Sequence, residues 1–199
     1  MFVRTMYVTG DPAEIEGAID RLRNEGVPAV SKLPGFKGVG LFADRELGKL
    51  MSGTWWESEQ ADRDSDAELA DKRAEWISPF ARTVTVDHWE AAFSTQPRPQ
   101  LTSGGFRMNR VDFDPKQLDR AVQAFKDSVV PGLQEIDGFL GAAMLVNRAD
   151  GRGSVGMLYR DRAALIASRG PQARVRGEGV KATGATFRSM EELEVILVQ

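Results

Sequence analysis

The only histidine of the 199-residue chain, His88, is its one side chain with an ordinary pKa near neutrality, and so the first candidate for moving a proton. As a general base it needs a substrate proton within hydrogen-bond reach; as a structural residue it needs only a partner at the sheet edge. Arg4 and Arg107 stand two residues before Met6 and Asn109, so on a strand each arginine shares a face with that residue. There a guanidinium could hold a carboxylate or phenolate and stabilise developing negative charge, or it could pair with an acidic helix. Trp55 and Trp56 are adjacent and on a strand must face opposite ways. Either both are core aromatics, or the one facing the helices, Trp56, forms the wall of a flat apolar pocket. Asn109 and Tyr159 are polar candidates for a second pocket, with a structural role as the alternative.

Other chemistries are disfavoured. Without cysteine there is no disulfide framework and no thiolate zinc or iron–sulfur site. One histidine argues against a transition-metal site, although carboxylates alone could hold magnesium or calcium. No Walker loop is present, GEGVKATG lacks the spacing of a dinucleotide fingerprint, and no nucleophile elbow accompanies the histidine. A net charge of -3 gives no global attraction to nucleic acid. No run approaches 18 apolar residues and no basic leader opens the chain, so a cytoplasmic protein without membrane segments is expected.

The elements that must position these residues occur twice. Displacing the sequence by 103 residues aligns LPGFKG (33–38) with IDGFLG (136–141) and, without a gap, residues 3–65 with 106–168. Fifteen of the 63 aligned positions are identical, including Arg4/Arg107, Gly35/Gly138, Ala61/Ala164 and Ser65/Ser168, where composition alone would give about four. In the first copy, β-branched and aromatic residues 2–9 predict a strand ending at Gly10-Asp11-Pro12, a helix start with Asp11 as cap. Ile15, Ile19 and Leu22 mark the buried helix face, which is expected to fade near Gly26-Val27-Pro28. Strands at 36–43 and 50–56, an acidic helix to about residue 77 and a strand at 82–92 complete a βαββαβ order. The second copy repeats the plan, except that Gly and Pro in 169–184 predict a broken or partly looped second helix.

The expected fold is therefore α+β: two tandem ferredoxin-like units, residues 1–93 and 105–199, joined by a linker at 94–104. Each antiparallel sheet has one face bare of helices, and burying both bare faces gives an intrachain barrel of pseudo-two-fold symmetry with helices outside. The alternative pairs each unit with a second chain, and a further homodimer is compatible with either.

The βαββαβ order, the two Gly-Phe segments and the run GTWWESEQADRDSDAELADKRAEW resemble the dimeric α/β-barrel superfamily and, within it, the antibiotic biosynthesis monooxygenase family. The resemblance covers both copies, and the first is the better match. It implies a pocket between sheet and helices in proteins that oxygenate aromatic polyketides without metal or flavin, or that degrade haem. Trp56 is similar to the pocket tryptophan of the haem-degrading branch and Asn109 to its first-strand asparagine. They stand in different copies, however, and neither second helix has the iron-binding histidine.

These readings converge on a cofactor-independent monooxygenase-like protein acting on an aromatic or other apolar small molecule, with no metal. In it Trp56 supplies a dry wall, His88 or Asn109 a proton acceptor or hydrogen bond, and Arg4 or Arg107 charge stabilisation, with Tyr159 joining the second pocket. The alternatives are a non-catalytic binder or sensor with the same pocket, and a pair of degenerate structural domains. After duplication only one pocket need stay competent, and Trp56 with an unbroken second helix favours the first. The helices differ in charge: 57–75 carries eight carboxylates against three basic residues, whereas 160–181 is basic. These are two solvated faces, or the basic segment lines the second pocket and favours an anionic ligand.

Overall fold

The computed structural model describes residues 1–96 and 99–199, so residues 97 and 98 of the expected linker lie outside the described part. Eight strands form one closed antiparallel sheet: β1 (Phe2–Gly10), β2 (Phe36–Asp44), β3 (Lys49–Trp56), β4 (Ala81–Ser94), β5 (Gly105–Asp112), β6 (Phe139–Asn147), β7 (Arg152–Tyr159) and β8 (Thr186–Val198). Their hydrogen-bonded order is β1-β3-β2-β8-β5-β7-β6-β4, the closed barrel of two βαββαβ repeats expected from the sequence.

Two compact units divide the chain, one made of Met1–Trp89, Gln100–Thr102 and Val195–Gln199, the other of Glu90–Pro99 and Ser103–Glu194. These limits differ from a division at residues 93 and 105 because the last strand of each repeat is long. At 14 residues β4 spans about 45 Å, so it begins in the first unit and ends in the second. The 13-residue β8 does the reverse, and the residue that follows it pairs with β2 through Val39 N–H to the Gln199 carbonyl at 2.8 Å.

Within each unit the first helical run starts as the sequence predicts. The Asp11 carboxylate accepts from Ala13 N–H at 3.0 Å, and the Asp114 carboxylate accepts from Lys116 N–H at 2.9 Å. The runs do not fade at Pro28 and Pro131. A π-helical turn at Leu22–Gly26, matched by one at Phe125–Val129, shifts the hydrogen bonds to five-residue spacing, so that Val27 N–H reaches the Leu22 carbonyl. Both prolines then fall in the first turn of a following helical segment, where a missing N–H costs no bond. Ile15, Ile19 and Leu22 pack into the core of the first unit, and Leu118, Val122 and Phe125 into that of the second.

The second helix of the second unit is interrupted, as expected, but at Ser168, between a short segment, Arg162–Ala167, and a helix, Arg169–Thr183. The loop expected within 169–184 is corrected, since that stretch is a continuous helix to Thr183. Pro171 lies in the first turn of that helix, so it starts the helix instead of breaking it. Gly179 is required by packing, since a Cβ there would come within 2.8 Å of Val129 Cγ2.

The echoed Gly-Phe segments have a steric cause. Gly35 and Gly138 adopt φ of 78° and 76°, and a Cβ at either would lie 2.7 Å from Ala61 Cβ or 2.5 Å from Ala164 Cβ. Each glycine carbonyl accepts the N–H of the residue after β3 or β7, Glu57 or Arg160, at 2.8 Å. The second helix is thus seated directly on the turn, which explains why glycine and alanine recur as a pair. Gly138→Ala should destabilise the protein by roughly 1–3 kcal/mol through backbone strain and overlap. Urea unfolding should show a lower midpoint with an unchanged slope; an unchanged midpoint would refute this explanation.

Candidate functional site

Each unit buries a guanidinium under its second helix. Arg107, fully buried, donates to Ser168 Oγ at 2.9 Å, to the Leu165 carbonyl at 2.9 Å and to Glu192 Oε1 at 2.6 Å. Its carbon lies 5.4 Å from the centre of the Tyr159 ring, whose hydroxyl is 3.4 Å from Nη1. Arg4 repeats the arrangement, donating to Ser65 Oγ at 2.8 Å and the Asp62 carbonyl at 2.9 Å, 5.5 Å from the Trp56 ring centre. Ser65 and Ser168 each return a hydrogen bond to the helix carbonyl three residues earlier. Arginine, serine and aromatic ring therefore fasten β1 or β5 to the helix, a structural role of the kind weighed for Arg4 and Arg107.

The two nodes are neutralised from opposite directions. In the first unit the acids are on the helix: buried Asp62 lies 3.4 Å from Arg4, and Asp66 bonds Arg73 at 2.6 Å. In the second unit Asp62 is matched by Leu165 and Asp66 by Arg169, and the carboxylate comes from β8 as Glu192. Arg169 also bonds Glu192, at 2.6 Å. The acidic and basic outer helices are thus explained in part by which element supplies the countercharge.

Of the other predicted site residues, Trp56 does face the helices but is fully buried, donating from Nε1 to Thr54 Oγ1 at 3.0 Å and meeting Phe36 edge-on. It packs under Arg4 and is not part of the cleft wall described below. Tyr159 likewise packs under Arg107 against Phe139. His88 directs Nδ1 to Asp62 Oδ2 at 2.7 Å with Nε2 3.7 Å from Asp66, and its side chain is 42% exposed. It too lies outside the cleft wall. Of the predicted residues Arg4 and Asn109 line clefts, and the side-chain oxygen of Asn109 has no partner among the described residues.

Each unit has a small cleft between sheet and helices. The first, about 60 Å³, is lined by Arg4, Met6, Leu22, Leu69, Arg73 and Trp76 among others. The second, about 50 Å³, is lined by Asn109, Phe125, Met157, Gln172, Arg176 and Phe187 among others. The walls correspond at the 103-residue spacing, so Met6 becomes Asn109, Leu69 becomes Gln172, Trp76 becomes Gly179 and Arg73 stays arginine as Arg176. At the first two of these positions the second cleft is the more polar. Asn109 and Gln172 are 5% and 2% exposed, and Gln172 Oε1 accepts from Arg176 Nη1 at 2.7 Å. Trp76 and Gln172 were not singled out in the sequence, and Arg176 entered it only as one of the basic residues of 160–181. The persistence of arginine at positions 73 and 176 was the available signal.

Glu192 carries a pH signature. Burial works to raise its pKa, but hydrogen bonds from Arg169 and Arg107 outweigh burial and hold it below the ordinary 4.5. Such a carboxylate contributes stability above its unfolded pKa and loses it as pH falls through the folded value. Glu192→Gln should therefore cost roughly 1–3 kcal/mol at neutral pH, and the difference from the parent should shrink below the ordinary glutamate range. Urea unfolding at both pH values checks this; an equal deficit at each would contradict it.

No known family profile matches the chain. It is 26% identical over 198 residues, 99% of this chain and 84% of the relative, to the uncharacterized protein Rv2558 of Mycobacterium tuberculosis H37Rv. Among solved structures it resembles a candidate monooxygenase of Fusobacterium nucleatum with a TM-score of 0.72 at 9% identity, covering 100% of this chain and 92% of the other. An anthrone oxidase-like protein superposes with a TM-score of 0.68 at 12% identity, covering 100% and 91%. A ferredoxin-fold protein of Listeria monocytogenes related to antibiotic biosynthesis monooxygenases gives 0.56 at 6% identity, covering 98% and 94%. With its closed sheet of eight strands and its repeated βαββαβ order, the chain shares the ferredoxin-like α/β-barrel fold of these structures, built from two tandem repeats in one polypeptide.

Proposed function

We propose that this chain is a cofactor-independent monooxygenase-like protein that takes an aromatic or other apolar small molecule into the sheet–helix cleft of its second unit. The observation that carries the reading is Asn109 Oδ1, buried in a largely apolar wall without a partner among the described residues. An unpaired buried acceptor costs about 1–3 kcal/mol, and a ligand hydroxyl or N–H would recover that cost on binding. The first cleft has methionine at the matching position, and both of its arginines are already paired, Arg4 with Asp62 and Arg73 with Asp66. This is why the second cleft is chosen over the first.

At about 50 Å³ the cleft admits one or two waters, whereas enclosing a drug-sized ligand takes about 300 Å³ or more. Binding therefore requires the Arg169–Thr183 helix to give way. Gly170 and Gly177, where a Cβ would meet open space, make it the weaker of the two second helices, each costing about 1 kcal/mol relative to alanine. Likeness to proteins named as monooxygenase and anthrone oxidase supports oxygenation as the chemistry. In such a reaction an activated CH2 becomes a carbonyl, one oxygen atom of O2 entering the product and the other leaving as water with both hydrogens. The wall of the cleft has no histidine or carboxylate among the described residues, so the substrate would have to be acidic enough to ionise with only hydrogen-bonding and cationic help. The same observation favours a second reading, a non-catalytic binder.

Asn109→Leu separates function from stability. It should raise stability by roughly 1–2 kcal/mol by removing the unpaired amide, while ligand binding falls at least tenfold. Oxygen uptake over a panel of phenols, anthrones and quinols then tests the chemistry. Uptake by the parent that is lost in Asn109→Leu supports the oxygenase. Binding without uptake leaves the binder, and unchanged binding in Asn109→Leu removes this cleft from either reading.

A further inference from the structure

We infer that the second-unit cleft selects organic anions: an anionic oxygen of the ligand meets Arg176 while a hydroxyl on the same molecule donates to Asn109 Oδ1. The inference rests on the proposal that this cleft holds a small molecule and adds the charge of that molecule.

Comparison of the two copies carries the argument. Arg73 and Arg176 are the same position of the repeat and line their respective clefts. Arg73 is neutralised by Asp66 at 2.6 Å. In the second copy the residue matching Asp66 is Arg169, which turns to Glu192, so Arg176 has lost its acid. Among the described residues it has no carboxylate in ion-pair reach; its Nη1 donates to Gln172 Oε1 and lies 3.4 Å from Met190 Sδ. Its guanidinium carbon is 4.9 Å from the centre of the Phe187 ring, which holds the cation by its face.

The field around Arg176 is unfavourable to its charge. Burial, and after it the positive charge of Arg107, lower its pKa from the ordinary value. The Arg107 charge is largely met by Glu192, which Arg169 shares, so three guanidinium groups stand against one carboxylate. Arg169 is 58% exposed and paired with Glu192, which leaves Arg176 as the cation at the cleft without a counterion among the described residues. A ligand carboxylate or phenolate would supply that counterion, with two parallel N–H···O bonds open to it. Asn109 contributes the opposite polarity, a bare acceptor that rejects a second anionic oxygen and favours a hydroxyl. A hydroxylated aromatic acid satisfies both groups at once.

The test is a titration of the full-length, nitrogen-15-labelled protein with 3-hydroxy-2-naphthoate and with its neutral counterpart, 3-hydroxy-2-naphthamide. Side-chain amide resonances of Asn109 and Gln172 report the second cleft. All four tryptophans, including Trp76 at the first cleft, lie in the first unit, so their fluorescence reports binding elsewhere. The naphthoate should shift both amide resonances and bind at least tenfold more tightly than the naphthamide. Arg176→Gln should remove that preference, and Arg176→Lys should keep part of it. Equal binding of the two probes at the second cleft, or a preference unchanged in Arg176→Gln, would overturn the anion assignment while leaving the cleft a small-molecule site. No shift at Asn109 or Gln172 with either probe, with or without tryptophan quenching, would instead remove the cleft itself and the anion assignment with it.

Discussion

A guanidinium cannot be buried cheaply: taken out of water it costs several kcal/mol unless its donors and its charge are both answered. Arg4 and Arg107 meet that demand twice in one chain with the same parts, a serine hydroxyl, a helix carbonyl, an aromatic face and a carboxylate. The serine and the carbonyl both belong to the second helix, so the node fixes that helix over the strand bearing the arginine. Where the helix also rests on its glycine turn, at Ala61 or Ala164, its start is set by direct contact. These two constraints locate the wall of each cleft.

Apart from Arg73/Arg176, which is kept and lines both clefts, identity and difference between the copies fall in different places. Residues kept in both, such as Arg4/Arg107, Ser65/Ser168, Gly35/Gly138 and Ala61/Ala164, make up the node and the turn. Residues that diverge, such as Met6/Asn109, Leu69/Gln172 and Trp76/Gly179, line the clefts. Shared side chains therefore report what every copy must do to fold. For ligand chemistry the divergent positions are the more informative.

Much of the frame was legible in the sequence because its signals are local or periodic. The caps at Asp11 and Asp114, the helix faces through Ile15–Ile19 and Leu118–Val122, and the helix-facing side of Trp56 all follow from spacing along a few residues. The helix at 169–183 was misread because glycine and proline content says nothing about where Pro171 falls in a turn, or about Val129 pressing on Gly179. The limits of the units were not legible because nothing in β4 or β8 marks where one strand passes from one unit to the other. The site was the least legible part. His88 and Asp62 are 26 residues apart and meet only through the folded sheet. Arg4 and Arg107 looked available for ligands because their partners lie more than 50 residues away. Asn109 was recognised as a candidate, but the arginine sharing its cleft stands beyond residue 168, where the aligned repeat ended.

The reversal of charge between the two nodes bears on how a duplicated gene ages. Recombination between tandem repeats tends to make them alike, yet an exchange of the second-helix segments would be punished here. Residues 160–180 grafted onto the first half would strip Arg4 of Asp62 and Asp66 and set an arginine beside His88. The reciprocal graft would crowd Glu192 with two further acids. Each half has become specific to its own helix, so the halves are shielded from homogenisation and free to specialise.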